Sequence, residues 1–413
     1  MRKLLCDSVY LRYWLAVVAS YLGDGIMRVA VIYIAAHLTA SPALFVSLVV
    51  FMQLLPSGIL SVFIGPFVDR ISPRVLLVGS DLFRFVVVVL MTLVTQSPML
   101  LVILIFLEGI GKAVFETARL AAIPKVVGKH DIADAIALFQ STVHVLHFVG
   151  PLVGGFLVGY LSVMPAFGIN AATFLVSALL LGSIPVLRDT TAQREGDAGD
   201  YLRSLIEGVR GVIAIRSLRL VLWAIVPIML VVGLFTTNVN TQLLNAFDLT
   251  AFEFGLAQAI IGAGATVAAL LGPALIRRWP IEWLLLASSM LFALTLLLVL
   301  PLQAGWPDFN LVAVLFWCAL SGFWMSLLNV PISNLLLRDL PEQLRGRGLA
   351  LANTLMMNFF MIGALVGGIV AETFGVTTSI AVAGGALLMP SLGLLVALIA
   401  GYGARSAIEM EQP

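Results

Sequence analysis

The stretch FLEGIGKAVFETAR, residues 106–119, sets Glu108, Lys112, Glu116 and Arg119 four, four and three positions apart, late in an apolar run that opens near Met99. At 100° per residue these side chains fall within roughly 80° of one another, so a helix carries them as one charged stripe. A second apolar run contains GDGIMR, with Asp24 and Arg28 four apart. Two readings compete. Each acid can pair with the base four residues on and brace its own helix. Alternatively, Asp24 or Glu108 exchanges a proton: dehydration disfavours an ionised carboxylate and a neighbouring cation favours it, so a movement that separates the pair loads or releases the proton. Arg28 and Lys112 serve as partners in the first reading and as further cavity groups in the second. His144 and His147, three apart, offer a relay, a substrate contact or a helix-bridging hydrogen bond.

The elements that hold these groups are apolar. The chain has 413 residues, of which 61% are hydrophobic and 11% charged, against about 25% charged in soluble domains. Twelve runs are long enough to cross a membrane: 12–37, 43–68, 75–95, 98–120, 133–160, 165–187, 217–246, 251–276, 283–301, 309–337, 346–371 and 376–402. With span four opening near Pro98, Glu108 lies about 15 Å deep, and Asp24 lies about 18 Å from Arg12. Both are midplane positions, where a charge costs about 2.5–3.5 kcal/mol. The stripe must therefore face protein or a water-filled cavity.

Net charge is +1, which gives no electrostatic reason for a nucleic-acid partner. Arg28 and Lys112 are read as lying within helices, and the other 21 of the 23 basic residues as lying on one side, Arg70, Arg74 and Arg84 among them at the turn between spans two and three. Basic loops stay in the cytoplasm, so both termini are expected inside. No cleavable signal peptide is expected, because the first run is too long. Cys6 and Cys318 form no disulfide framework. GIGKA is not a phosphate loop, since Phe106 and Ala113 occupy the positions that need glycine and a hydroxyl. No catalytic or metal site and no cofactor is expected, so an ion gradient must supply the energy. A receptor or scaffold that transports nothing would leave the midplane charges without a task.

The chain also repeats itself. GPFVDRISPR at Gly65 returns as GPALIRRWPI at Gly272, and Pro124 returns as Pro331, both at an offset of 207. GPLVGG at Gly150 returns as GALVGG at Gly363. This divides the chain into a six-helix bundle over 1–187, a linker over 188–216 and a second bundle over 217–413, with a central site between the bundles. Within the linker, Leu202, Leu205, Ile206, Val209, Val212 and Ile213 recur at helical spacing, which predicts an amphipathic helix on the membrane surface.

GPFVDRISPR resembles the cytoplasmic loop motif of the major facilitator superfamily through Gly65, Asp69, Arg70 and Arg74, with Ser72 and Pro73 where glycine and arginine are usual. YLRYWLAVVASYLGDGI, GSDLFRF, AAIPKVV and YLRSLIEGVRG are similar to the macrolide-efflux and enterobactin-exporter branch of its drug–proton antiporters. GPLVGG is similar to the antiporter signature, with Leu146 in place of an upstream glycine. The resemblance implies an all-α membrane protein of twelve helices in two pseudo-symmetric bundles, exporting hydrophobic or amphiphilic small molecules such as drugs or siderophore-like compounds, coupled to protons. It implies a monomer in the bacterial inner membrane, in contact with lipids. A lipid or lysophospholipid flippase of the same fold is the alternative. It also implies a gate at Asp69, whose carboxylate would accept from the start of span eleven, extended by Asp81, Arg84, Glu116 and Arg119. In the second half, Asn238 and Asn334 are the expected substrate contacts.

Overall fold

The structure is a computed structural model, and it describes residues 2–68, 71–128, 131–188, 216–306, 310–339 and 345–410. Among them there is no strand. Twelve long helices follow in order: α1 (Ser8–Leu38), α2 (Pro42–Val68), α3 (Pro73–Leu93), α4 (Pro98–Val126), α5 (Ile132–Tyr160), α6 (Val163–Gly182), α7 (Arg216–Thr241), α8 (Ala251–Arg278), α9 (Ile281–Leu297), α10 (Leu311–Asp339), α11 (Arg345–Phe374) and α12 (Val376–Met410). Eleven are long and apolar enough to cross a membrane, and Pro42–Gly58 is a shorter apolar stretch of α2. Twelve alternating crossings put both ends of the chain on one face, here the terminal face; the other is the far face.

The expected spans match these helices, with differences at the edges that have local causes. α1 begins four residues before the expected Arg12, because the Asp7 carboxylate accepts from the backbone N–H of Val9 at 2.7 Å and caps it. α3 opens on Pro73 at its first turn, with the Ser72 hydroxyl accepting from Val75 N. α4 runs on to Val126, six residues past the expected end, and tolerates Pro124 in its last turn. Asp69 and Arg70 lie outside the described residues, as does the expected amphipathic helix of the linker. Gly65 lies within α2.

α1 packs on α5 and α6, α3 on α4 and α6, and α2 on α4; in the second half, α7 packs on α11 and α12, α8 on α10, and α9 on α10 and α12. The two groups meet along α5 with α8 and α2 with α11. The repeated glycines make this possible. On α5, a side chain at Gly154 would strike Ile26 of α1, and one at Gly155 would strike Gly255 of α8 at 2.7 Å. On α11, the corresponding Gly367 meets Leu234 of α7, and Gly368 meets Ser47 of α2. Two adjacent glycines on a helix point about 100° apart. The first of each pair seats the helix's own bundle and the second seats the other bundle.

The contacts between bundles run from the far face to about mid-depth. Gly159 meets Phe252, Gly155 meets Gly255 and Gly262 meets His147 O along α5 and α8, while Asn245 Nδ2 donates to Ala36 O at 3.2 Å. A Gly155→Leu substitution should therefore push α5 and α8 apart at the far face. Spin labels at Leu44 and Phe374, at the far ends of α2 and α11, should report a longer and broader distance distribution than in the parent protein. An unchanged distribution would show that this contact does not set the closure.

Candidate functional site

The charged stripe of α4 faces inward, and its partners come mainly from other helices. Arg84 of α3 lies at the centre. It is 1% exposed, and its Nε and Nη2 donate to Glu108 Oε1 at 2.9 and 2.6 Å. Nη2 also donates to Asp24 Oδ1 on α1, and Nη1 donates to Ser20 Oγ at 3.2 Å. The guanidinium stacks over the Phe174 ring of α6, 4.0 Å from its centre. One side chain thus ties four helices together. Gly111 makes room for it, since a side chain there would come within 2.5 Å of Arg84 Cγ.

Lys112 Nζ reaches the other carboxylate oxygen of Asp24 at 3.0 Å. Asp24 is therefore held by two cations from two other helices. Neither expected pair, Asp24 with Arg28 or Glu108 with Lys112, is among the described ion pairs: Lys112 binds Asp24, and Arg28 binds neither acid. Arg28 is exposed into the central cavity and has no hydrogen bond or ion pair within 4 Å among the described residues.

Arg84 requires a correction. The sequence reading set it at the turn between spans two and three, as part of a gate network with Asp81. It lies eleven residues into α3, about 16 Å deep, and joins the midplane acids instead. Asp81 lies beside it, fully buried, 3.8 Å from Arg84 Nη1, with neither carboxylate oxygen hydrogen-bonded. Arg84 thus joins Arg28 and Lys112 inside the spans.

The other half of the stripe is a separate cluster. Arg119 Nη2 meets Glu116 Oε2 at 2.9 Å, and Glu116 accepts from the Tyr21 hydroxyl of α1. The Tyr13 hydroxyl donates to Arg119 O at 2.9 Å, and the Arg119 guanidinium stacks 3.9 Å over Phe139 of α5. This ties α4 to α1 and α5 nearer the terminal face. Arg74 donates to Gly182 O and closes the end of α6.

Two adjoining cavities of about 270 and 350 Å³ lie between the bundles and share Arg28, Thr236, Gln258 and Met325. The first-half wall carries Asp24, Arg28, Lys112 and His147. The second-half wall is Phe235, Val239, Ile261, Met325 and Phe360, relieved by Thr236, Asn240 and Gln258. Glu108 is one step behind the wall, with a side chain 3% exposed. His144 is not among the lining residues.

Asn238 lies elsewhere. It is fully buried, and its Nδ2 donates to Gly367 O at 3.1 Å and Ser379 Oγ at 2.7 Å, bridging α7 to α11 and α12. This removes it from the expected substrate contacts. The side chain of Asn334 is outside the described set. Sequence reasoning passed over Gln258, Thr236 and Gln53, and did not single out Asn240, which accepts from Gln258 Nε2. For Gln53 and Gln258 the signal was a polar residue isolated in an apolar run, whereas Thr236 and Asn240 lie in the polar stretch TTNVNTQ at the end of α7. Among the described residues no group of three His, Cys, Asp or Glu could hold a metal.

The chain is 26% identical over 389 residues to the MFS-type transporter YfiS of Bacillus subtilis, covering 91% of this chain and 90% of that one. It is 27% identical over 406 residues to the enterobactin exporter EntS of Escherichia coli, covering 94% and 91%. Among solved structures, a bacterial homologue of the iron transporter ferroportin in an inward-facing state shares the fold at TM-score 0.76 and 13% identity, over 94% of this chain and 98% of that one. The nucleoside transporter NupG shares it at 0.77 and 14%, over 94% and 99%. The Major Facilitator Superfamily profile matches residues 13–360 and 229–407. With twelve apolar helices around a central polar cavity, this chain belongs to the Major Facilitator Superfamily, a family of multi-pass membrane transporters.

Proposed function

We propose that the protein exports hydrophobic or amphiphilic small molecules in exchange for protons, by alternating access. One observation carries the reading. Asp24 lines the central cavity while gripped by cations from α3 and α4, so its ionisation is tied to how those helices sit. Its side chain is 13% exposed, so water in the cavity reaches it. When Arg84 or Lys112 withdraws, a partly dehydrated carboxylate is left with less cationic support and takes up a proton. When they return, the proton leaves. Glu108 holds Arg84 from behind and takes part in the same exchange.

The enterobactin exporter among the relatives supports the direction of transport. The apolar second-half wall suits a greasy cargo. The basic residues outside the spans make the terminal face cytoplasmic in a bacterial inner membrane, so the far-face contacts close the outer side. The protein acts as a monomer surrounded by lipid. The gradient supplies about 2.3 kcal/mol per charge per 100 mV, plus any pH difference.

In proteoliposomes carrying a pH-sensitive dye, the parent protein should couple cargo movement to proton flux. Asp24→Asn and Glu108→Gln should abolish uphill transport while still inserting and binding cargo. Normal uphill transport in both variants would remove the coupling roles. Lipid movement without proton flux would select the flippase reading, and a complete absence of transport would select the receptor reading. For the gate, Asp69→Asn should lower turnover and leave cargo affinity unchanged, measured as Vmax against Kd. An unaltered turnover would dismiss Asp69 as a switch.

A further inference from the structure

Arg28 is the cavity group that the proton-exchange cluster does not use. The ledger of charges around the cavity is uneven. Arg28 and Lys112 line it, and among the described lining residues Asp24 is the only acid. Both Asp24 oxygens are occupied, one by Arg84 and one by Lys112. Glu108, behind the wall, is matched by Arg84. Asp81 lines neither cavity and is fully buried. Arg28 therefore stands as an exposed guanidinium at mid-membrane depth, with no partner within 4 Å among the described residues.

A lone cation at that depth costs about 2.5–3.5 kcal/mol on insertion scales. An unoccupied fork of N–H donors matches a carboxylate, sulfonate or phosphate group. The wall across from it is apolar: Phe235, Ile261, Met325 and Phe360. His147 adds an imidazole on the same side as Arg28. Cavities of about 270 and 350 Å³ accept a bicyclic aromatic or a short acyl body.

We propose that Arg28 is the substrate-recognition residue for an anionic group, and that the cargo is an amphiphile bearing one negative charge beside an apolar body. The inference rests on the export reading for its setting, but it concerns binding alone. Cationic amphiphiles, which would meet an unbalanced positive wall, bind poorly.

The test uses the purified full-length protein in detergent, with no gradient. The probes are 2-naphthoate, 2-naphthamide and 2-naphthylmethylammonium, matched in body and differing in charge, with binding read from quenching of tryptophan fluorescence. The parent protein should bind the carboxylate at least about ten-fold tighter than the amide, and the ammonium most weakly. Arg28→Gln should bring carboxylate and amide together. Arg28→Lys, which keeps the charge and loses the fork, should keep part of the preference. Equal binding of all three probes by the parent protein would overturn the proposal without any variant being made. So would a preference that survives in folded Arg28→Gln. A second arm compares lysophosphatidylglycerol with lysophosphatidylcholine. Arg28-dependent preference for the anionic lysolipid would support the site with a lipid as its source, and preference confined to naphthoate would support a free small molecule. Loss of proton flux with charge discrimination intact would refute coupling and leave this proposal standing.

Discussion

Arg84 sets the constraint on which the first bundle depends. A guanidinium that is 1% exposed can be held in a membrane-spanning bundle only if its donors are filled. Asp24, Glu108 and Ser20 fill them from α1 and α4, and Phe174 covers the face from α6. Removing either acid would leave a buried charge unmatched, which costs more than the pair itself gains. The four helices are therefore fixed relative to one another by electrostatics where their apolar faces fix them only loosely. The same arrangement makes the bundle responsive. Changing the charge on Asp24 changes what Arg84 and Lys112 are attached to, and these sit on separate helices.

The second constraint is close approach. The paired glycines of α5 and α11 bring backbones together in both bundles and across the boundary between them. Lipid is as apolar as leucine, so burial alone gives helices little reason to associate; small residues and interhelical hydrogen bonds supply the reason. The far-face contacts are of this kind, with Gly155 on Gly255 and Asn245 on Ala36. Such an interface is tight, shallow in side chains and cheap to separate, which suits a surface that must open and close.

The fold was legible because the membrane imposes long uninterrupted apolar runs, and because a repeat of glycines survives as letters. Helix ends were less legible, since a cap such as Asp7 sits outside the run it starts. Depth was the readable signal for Asp24 and Glu108. The same count applied to Arg84 places it nine residues beyond the expected start of span three at residue 75, well inside the membrane, although Arg70 and Arg74 lie close to it in sequence. Partners were not legible. Sequence spacing suggests Asp24 with Arg28 and Glu108 with Lys112, whereas the observed pairs cross between helices. Spacing says which residues share a face, not what stands opposite that face. Asn238 shows the same limit, because an amide in a span serves a cavity or a helix junction with identical letters.

The division of labour across the cavity follows from these placements. The ionisable groups lie on α1, α3, α4 and α5, and the opposite wall is built from apolar side chains with a few amides and a hydroxyl. A cavity with charges on both walls would lock its halves together through ion pairs that are strong in a low dielectric. With the charges on one wall, the bundles can part without breaking an ion pair across the gap. Under the proposed exchange, the ion chemistry would stay within one bundle, and the other would present a surface that an apolar body can slide against. Coupling between the two requires only that they share the space into which Arg28, Asp24 and Lys112 project.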